Sequence, residues 1–333
     1  MTAVTVSESS QTFAARRAAT NLAAELLFNE TETGKVAIIV TEMATNLIKH
    51  AGSGTILLRG RPQNQRCALE ILAVDSGPGM ENPDACLRDG VSAAGSSGTG
   101  LGAISRLATL SEIYTLPGHG TIIRALCAIE PAQPAPFNGL DVGGVAVPVT
   151  GETECGDAFA VCQSGDNTIL MMADGLGHGP LAAVASRAAV DVLPKVASLE
   201  VAAILEAIHQ ALRGSRGAAV SVASINPGRG TIRYTGVGNI VGALVNGAEI
   251  RHFVSMHGIV GQQIRTPRCF DYEWNPESIV VLHSDGVSSN WTLQKYPGIT
   301  RKSASIIAAS IWRAAHRRDD DASVLVLKAG LPA

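Results

Sequence analysis

The 333-residue sequence predicts two mixed α+β domains in tandem, each with its helices and strands segregated into layers. Three observations predict this. A domain usually takes about 100–200 residues, so this length divides most naturally into two. Prolines 131, 134 and 136 fall within six residues, inside the run Glu130-Pro-Ala-Gln-Pro-Ala-Pro-Phe137, and cannot sit in a helix or a central strand. Before that break helices and strands are segregated rather than doubly wound, and after it many short apolar strands alternate with a few helices, as two sheets with helices outside them would require. The organisation expected is a domain over 1–130, a proline-rich linker over 131–141 and a second domain over 142–333.

The elements follow in order. Residues 12–28 and 35–50 carry apolar residues at helical spacing, with Thr33 as the candidate N-cap of the second helix. Residues 55–59 and 67–74 read as strands. A glycine-rich loop opens a helix over 98–110, and strands 113–116 and 121–129 form a hairpin around Pro117-Gly-His-Gly120. In the second half, strands are expected at 142–149, 157–163, 168–173, 217–226, 231–237, 240–245, 278–283 and 322–327. Helices are expected at 181–192, 199–213 and 303–317. Many strands with few helices fit two sheets with helices outside them.

Composition narrows the function. Hydrophobic residues make up 46% and charged residues 17%, which excludes a disordered chain. Net charge is −3; residues 1–130 hold 10 basic and 12 acidic residues, leaving 16 and 17 for the rest, so neither half is a basic surface for nucleic acid. Aromatics at 4% leave no stacking platform for bases. No apolar run reaches transmembrane length, and the polar start lacks the pattern of a secretory signal, so a cytoplasmic protein without membrane contact is expected. Six cysteines at 67, 86, 127, 155, 162 and 269 form no C-x-x-C pair, which points to reduced, scattered thiols.

Three pieces of the first half combine residue types suited to a nucleotide. Glu42 and Asn46 stand four apart on a predicted helix and share one face, where a carboxylate could act as base and an amide oxygen could meet a cation; a solvated face is the plainer alternative. Asp75-Ser-Gly77-Pro-Gly79 follows a strand and leaves a carboxylate beside flexible backbone, suited to an exocyclic amine, though it is equally good turn chemistry. Gly95-Ser-Ser-Gly98-Thr-Gly100-Leu-Gly102 precedes a helix whose free N–H groups suit phosphate, without the Gly-Lys-Ser/Thr of a Walker loop.

In this order and spacing the three pieces resemble the GHKL (Bergerat) ATP-binding fold of histidine kinases and anti-sigma serine kinases, over most of residues 10–128. Residues 84–90 through 106–108 look like the stressosome switch kinase, related to the serine kinases that act on STAS-domain antagonists. The resemblance implies an α/β sandwich that binds ATP with Mg²⁺. It implies Asn46 as the Mg²⁺ residue and Asp75 as the adenine reader. Gly77 and Gly79 would line the pocket, Gly98, Gly100 and Gly102 would form the phosphate loop, and Glu42 would be the base for a substrate serine. No phospho-acceptor histidine motif is present, and His50 reads as a local hydrogen-bonding residue.

In the second half, aspartates stand at strand ends: Asp157, Asp174, Asp285 and the run Asp319-Asp-Asp321. Singly, each could be a turn or a solvated charge. Gathered, they make an all-oxygen site suited to Mg²⁺ or Mn²⁺. Asp174-Gly-Leu-Gly-His178-Gly-Pro-Leu-Ala-Ala183, with Gly236-Val-Gly-Asn239 and Gly258-Ile-Val-Gly261, resembles the metal-dependent PPM-type Ser/Thr phosphatases of the SpoIIE-like branch, over about 142–329. The resemblance implies an α-β-β-α sandwich and two divalent cations. Asp157, Asp174 and the Gly175 carbonyl would be bridging and first-metal ligands, and Asp285 and Asp320 second-metal ligands. Asp320 is preferred over Asp321 because the family's Asp-x-x-Ser/Thr spacing ends at Ser323. His178 would orient water or leaving group, with a structural cap as the alternative.

Together the resemblances imply a bifunctional partner-switching regulator. A serine-kinase-like domain is joined to a phosphatase whose targets would be phosphorylated STAS-domain proteins or related sigma-factor regulators. The alternative is a working phosphatase whose nucleotide domain senses ATP or binds a partner.

Overall fold

The computed structural model describes residues 1–63, 66–82, 100–128 and 137–330. The chain divides into two compact units, Met1–Ala135 and Pro136–Ala333. Both mix helix and sheet. Among the described residues no helix is long and apolar enough to cross a membrane.

The first unit runs β1 (Thr2–Val6), α1 (Ser9–Glu25), α2 (Glu30–Asn46), β2 (Gly54–Gln63), β3 (Arg66–Val74), α3 (Gly100–Leu107), β4 (Leu110–Leu116) and β5 (Gly120–Ala128). The strands form one antiparallel sheet in the order β1-β2-β3-β5-β4. Strand alternation sends Ile56, Leu58, Leu69, Ile71, Ala73, Ile123 and Ala125 to one face. There they pack against Ala15, Ala19 and Ala23 of α1 and Val36, Ile39, Val40 and Met43 of α2. Small alanines four apart let α1 lie close. Glu70 points to the other face, where it is 1% exposed and takes Arg59 Nη2 at 2.5 Å, Arg61 Nη1 at 3.1 Å and Arg124 Nε at 2.8 Å.

Helix α2 begins earlier than its periodicity suggests. Asn29, not Thr33, is the N-cap: its side chain accepts the Glu32 N–H at 2.8 Å. Thr33 N–H already bonds to Asn29 O at 2.9 Å and so lies within the first turn. At its other end α2 passes into a π-helical turn, Leu47–Ala51, that stops at Gly52 with φ +77°. Strand β1 has no counterpart among the sequence expectations; its Thr-Ala-Val-Thr-Val run is short but β-branched and pairs with β2 at the sheet edge.

The second unit is a four-layer sandwich. Its first sheet has the order β15 (Phe270–Glu273), β10 (Thr231–Val237), β9 (Ala218–Asn226), β8 (Asn167–Gly175), β7 (Asp157–Ser164). Its second has β12 (Glu249–His252), β11 (Val241–Asn246), β16 (Ile279–His283), β17 (Ala322–Ala329), β6 (Leu140–Val147). Leu170, Met172, Ala223 and Tyr234 from one sheet meet Leu244, Val280, Leu282 and Leu325 from the other. Helices α4 (Pro180–Val196) and α5 (Val201–Ala211) cover the first sheet through Ala189, Leu193, Ile204 and Ile208 against Met171, Val220 and Val222. Helix α6 (Ala304–Ala315) lies on β6 and β17. It approaches so closely that a methyl at Gly143 would stand 2.1 Å from Ser305 N.

Strand β6 begins at Leu140, and Phe137 already bridges Leu140, so the expected linker stops short of residue 141. The short strands β12 and β15, with the two-residue pair β13 (Gly258–Ile259) and β14 (Gln263–Ile264), were not expected. At two to four residues they are too brief for alternation to register.

Candidate active sites

The two sheets of the second unit bring their aspartates to one end. Asp157 opens β7 and Asp174 closes β8, and the antiparallel register makes the two direct cross-strand partners. Like charges directly opposite repel. Burial, then Asp174, holds the Asp157 carboxyl well above its usual range, opposed in part by the Ser284 and Ser323 hydroxyls. Asp157 is 5% exposed, and its Oδ2 has no hydrogen-bond partner. Asp174 is pushed up to about 7, first by burial and then by Asp285, Asp320 and Asp321. Asp285 follows β16 and Asp320 precedes β17, whose antiparallel pairing puts those ends side by side. Asp285 Oδ2 accepts from Asn239 Nδ2 at 2.6 Å. Asp320 is raised by burial, with the Asp321 N–H at 2.8 Å opposing it.

Asp321 differs in kind. It is 3% exposed, and both oxygens are taken by backbone: Val149 N–H donates to Oδ1 and Gly156 N–H to Oδ2, each at 2.8 Å. It therefore ties down the loop 148–156 that delivers Asp157. A methyl at Gly156 would stand 2.7 Å from Asp321 Oδ2, and one at Gly286 would stand 1.9 Å from the Asp321 carbonyl. Only glycine permits these approaches.

Among the described residues, no three acidic, histidine or cysteine side chains converge on a single point. What fits a cation is the orphaned Asp157 oxygen, the mutual repulsion of neighbouring carboxylates and an all-oxygen donor set. Gly175 belongs to this end: its N–H bonds to Gly156 O at 3.1 Å, and a methyl there would meet Ala182 O at 2.2 Å. His178 stands on the loop before α4 with Nδ1 3.0 Å from Glu152 Oε1, so its recorded partner is a glutamate and not one of the aspartates.

In the first unit, Glu42 and Asn46 share a face of α2, and the start of α3 sits over them. A methyl at Gly100 would stand 2.7 Å from Glu42 Oε2 and 3.7 Å from Asn46 Oδ1. Gly102, two residues further on, is buried. Asp75 directly follows β3; its Oδ1 accepts Gly77 N–H at 2.8 Å and Thr121 N–H at 3.1 Å. Gly79, at φ +72°, presses on Leu116 O, while Gly77 presses on Ala51 at the end of the π-helical turn. The Asp75 turn is thus locked to both the β4–β5 hairpin and the end of α2. Gly98 and residues 84–90 lie outside the described residues. His50 is exposed.

Residues 164–330 match the model of the stage II sporulation protein E (SpoIIE) family. The chain belongs to that family. Residues 5–126 match the histidine kinase-like ATPase domain, so this member joins a SpoIIE-type phosphatase domain to a kinase-like ATPase domain. The serine/threonine-protein kinase RsbT of Bacillus subtilis is 32% identical over 113 residues, 34% of this chain and 85% of RsbT. The phosphoserine phosphatase RsbX of the same organism is 30% identical over 139 residues, 41% of this chain and 70% of RsbX. A solved structure from work on the bacterial stressosome as a modular system is 27% identical with a TM-score of 0.54, covering 57% of this chain and 99% of its own. The SpoIIE match begins after Asp157, so that residue's membership of the site rests on the β7–β8 register.

Three contributors escaped the sequence reading. Sequence pattern offers Asp321 only as an alternative ligand, gives Asn239 no role and does not single out Glu152. No local pattern marks Glu152. Asn239 follows Gly236-Val-Gly, a tight turn between central strands that does signal a placed side chain.

Proposed function

We propose that this SpoIIE-family protein is a two-way regulator of partner-switching signalling in the cytoplasm. Its second unit removes phosphate from phosphoserine or phosphothreonine, and its first unit transfers phosphate from ATP. STAS-domain proteins or related sigma-factor regulators are the substrates. The similarity to RsbT on one side and RsbX on the other supports the pairing.

The observation that carries the phosphatase reading is the buried, repelling Asp157–Asp174 pair with its orphaned oxygen. Asp157, Asp174, the Gly175 carbonyl, Asp285 and Asp320 would hold two divalent cations, Mn²⁺ or Mg²⁺. Bound there, such cations supply charge neutralisation and a water of lowered pKa. Asp321 is assigned to positioning, because both its oxygens are already engaged. Asn239 orients Asp285 by holding one of its oxygens. His178, hydrogen-bonded to Glu152, would give a proton to the departing serine oxygen, which leaves as the free hydroxyl.

In the first unit, Asn46 would hold Mg²⁺ and Asp75 would accept from the adenine amine. Gly77 and Gly79 would shape the pocket, and Gly98, Gly100 and Gly102 would admit the phosphates. Glu42 would take the proton of the attacking hydroxyl. Positioning and charge do most of this work.

The test is phosphate release from a phosphoserine peptide by the full chain with Mn²⁺, compared with EDTA and with Asp174→Asn. Metal-dependent release that falls at least about a hundredfold in the variant supports the reading. Release that ignores metal, or survives the substitution, contradicts it.

A further inference from the structure

A phosphomonoester brings close to two negative charges to an end of the sandwich already crowded with aspartates. Cations held by those aspartates would meet some phosphate oxygens. The rest need a donor at the rim, and a guanidinium is best shaped for that, because its planar fork matches two oxygens at once.

Arg216 is placed for this task. A methyl built on Gly177 would stand 3.3 Å from Arg216 Nη1, so the guanidinium lies along the peptide of Gly177, three residues beyond Asp174. Gly177 takes φ +84°, which bares that peptide to the arginine. The two segments are tied together: Leu176 N–H donates to the Gly217 carbonyl at 3.1 Å. Gln262 Nε2 donates to the Arg216 carbonyl at 2.6 Å. Gly217, at φ +82°, is packed so closely that a methyl there would meet Ile259 Cγ2 at 2.6 Å and Val260 O at 2.8 Å. The backbone that carries the guanidinium is therefore held before any ligand arrives. Its side chain is exposed, and among the described residues no carboxylate lies within ion-pair distance of it. By contrast Arg187, on the neighbouring helix α4, is already paired with Glu154 at 2.8 Å.

We propose that Arg216 is the phosphate-orienting residue of the acidic site. It would grip the outer oxygens of a phosphomonoester dianion whose other oxygens face the cations on Asp157, Asp174, Asp285 and Asp320. This rests on the phosphatase reading of that site. It adds a specificity element: dianionic monoesters are preferred over monoanionic diesters, which offer the fork one negative charge instead of two.

The experiment is calorimetric titration of inorganic phosphate into the Mn²⁺-loaded full chain, for wild type, Arg216→Ala, Arg216→Lys and Arg187→Ala. Arg216→Ala should weaken phosphate binding about tenfold or more, the range for losing a charged hydrogen bond. Arg216→Lys should recover part of the loss, since it keeps the charge without the fork. Arg187→Ala should stay within about twofold. Alongside, KM for p-nitrophenyl phosphate should rise in Arg216→Ala with kcat little changed and Mn²⁺ affinity intact. Unchanged phosphate affinity in Arg216→Ala, no phosphate binding by wild type, or a parallel loss of Mn²⁺ affinity would overturn the proposal. Because binding is read without turnover, a chain that binds phosphate through Arg216 yet releases none from any ester would sink the phosphatase reading and leave this one standing.

Discussion

The two sites are built by opposite means. In the second unit, strand register forces Asp157 against Asp174, and the ends of β16 and β17 add Asp285 and Asp320. Burial first, and then the neighbouring carboxylates, push the Asp174 carboxyl up to about 7. In the first unit, the polar groups are dispersed over a helix face and a turn, and glycines let backbone crowd them. Gly100 presses on Glu42 and Gly120 on the Asp75 carbonyl, where methyls would stand 2.7 Å and 2.2 Å away. On the proposed reading, a cation site concentrates like charge on rigid strand ends, whereas a nucleotide site, whose ligand brings its own charge, invests in close backbone approach instead.

The sharpest way to break this contrast is Asp321→Ala. If strand-end geometry rests on that clamp, two backbone N–H groups lose their acceptor. Urea unfolding of the full chain should then show the transition of the second unit weakened by about 2–4 kcal/mol. Asp321→Asn keeps one acceptor and should cost about half as much. If Asp321 were instead a metal ligand, stability without metal would hardly change and only Mn²⁺ affinity would fall.

Glu42→Ala separates the units by activity. Phosphate transfer from ATP to a serine substrate should fall on the order of a hundredfold, within the range for losing a general base. Mn²⁺-dependent phosphate release should persist. If transfer is absent in wild type as well, the nucleotide domain acts as a sensor or binding module. If release falls with Glu42→Ala, the sites are not separable.

The smallest effect is a pH slope. Asp157 and Asp174 have folded pKa values raised above their ordinary 3.8. Their protonated forms are favoured in the fold, so the stability they contribute is complete below about pH 4 and is lost as pH rises toward about 7 for Asp174. The metal-free chain should therefore melt at lower temperature at pH 8 than at pH 5.5 in the second-unit transition. Mn²⁺ should raise that temperature more at pH 8. Equal metal shifts at both values would mean the repulsion is relieved by other means.

Much of this was legible in the sequence. The Asp-Gly signatures at 174 and 285 sit at the ends of strongly apolar strands, and the Glu42–Asn46 spacing falls on a clear helix, so the sequence points to the strand ends and the helix face where the structure puts these residues. What escaped depends on long-range contact. Asp321 engages residues 165 and 172 positions away, and Asp320 and Asp321 look alike until the backbone N–H partners are known. The start of α2 was misplaced because Thr33 and Asn29 are both capping residues, and only the i→i−4 bond from Thr33 shows which one lies outside the helix. Strands β12 to β15 are edge or bridging segments, held by neighbours rather than by their own pattern.

The central claim is that the aspartates of the second unit form a cation site, with Asp174 inside it and Asp321 beside it. Calorimetric titration of Mn²⁺ into the full chain at pH 7.5 tests this without any substrate. The account predicts two bound ions in wild type, loss of at least one in Asp174→Asn, and retained stoichiometry in Asp321→Asn. No binding in wild type, or undiminished binding in Asp174→Asn, would contradict it.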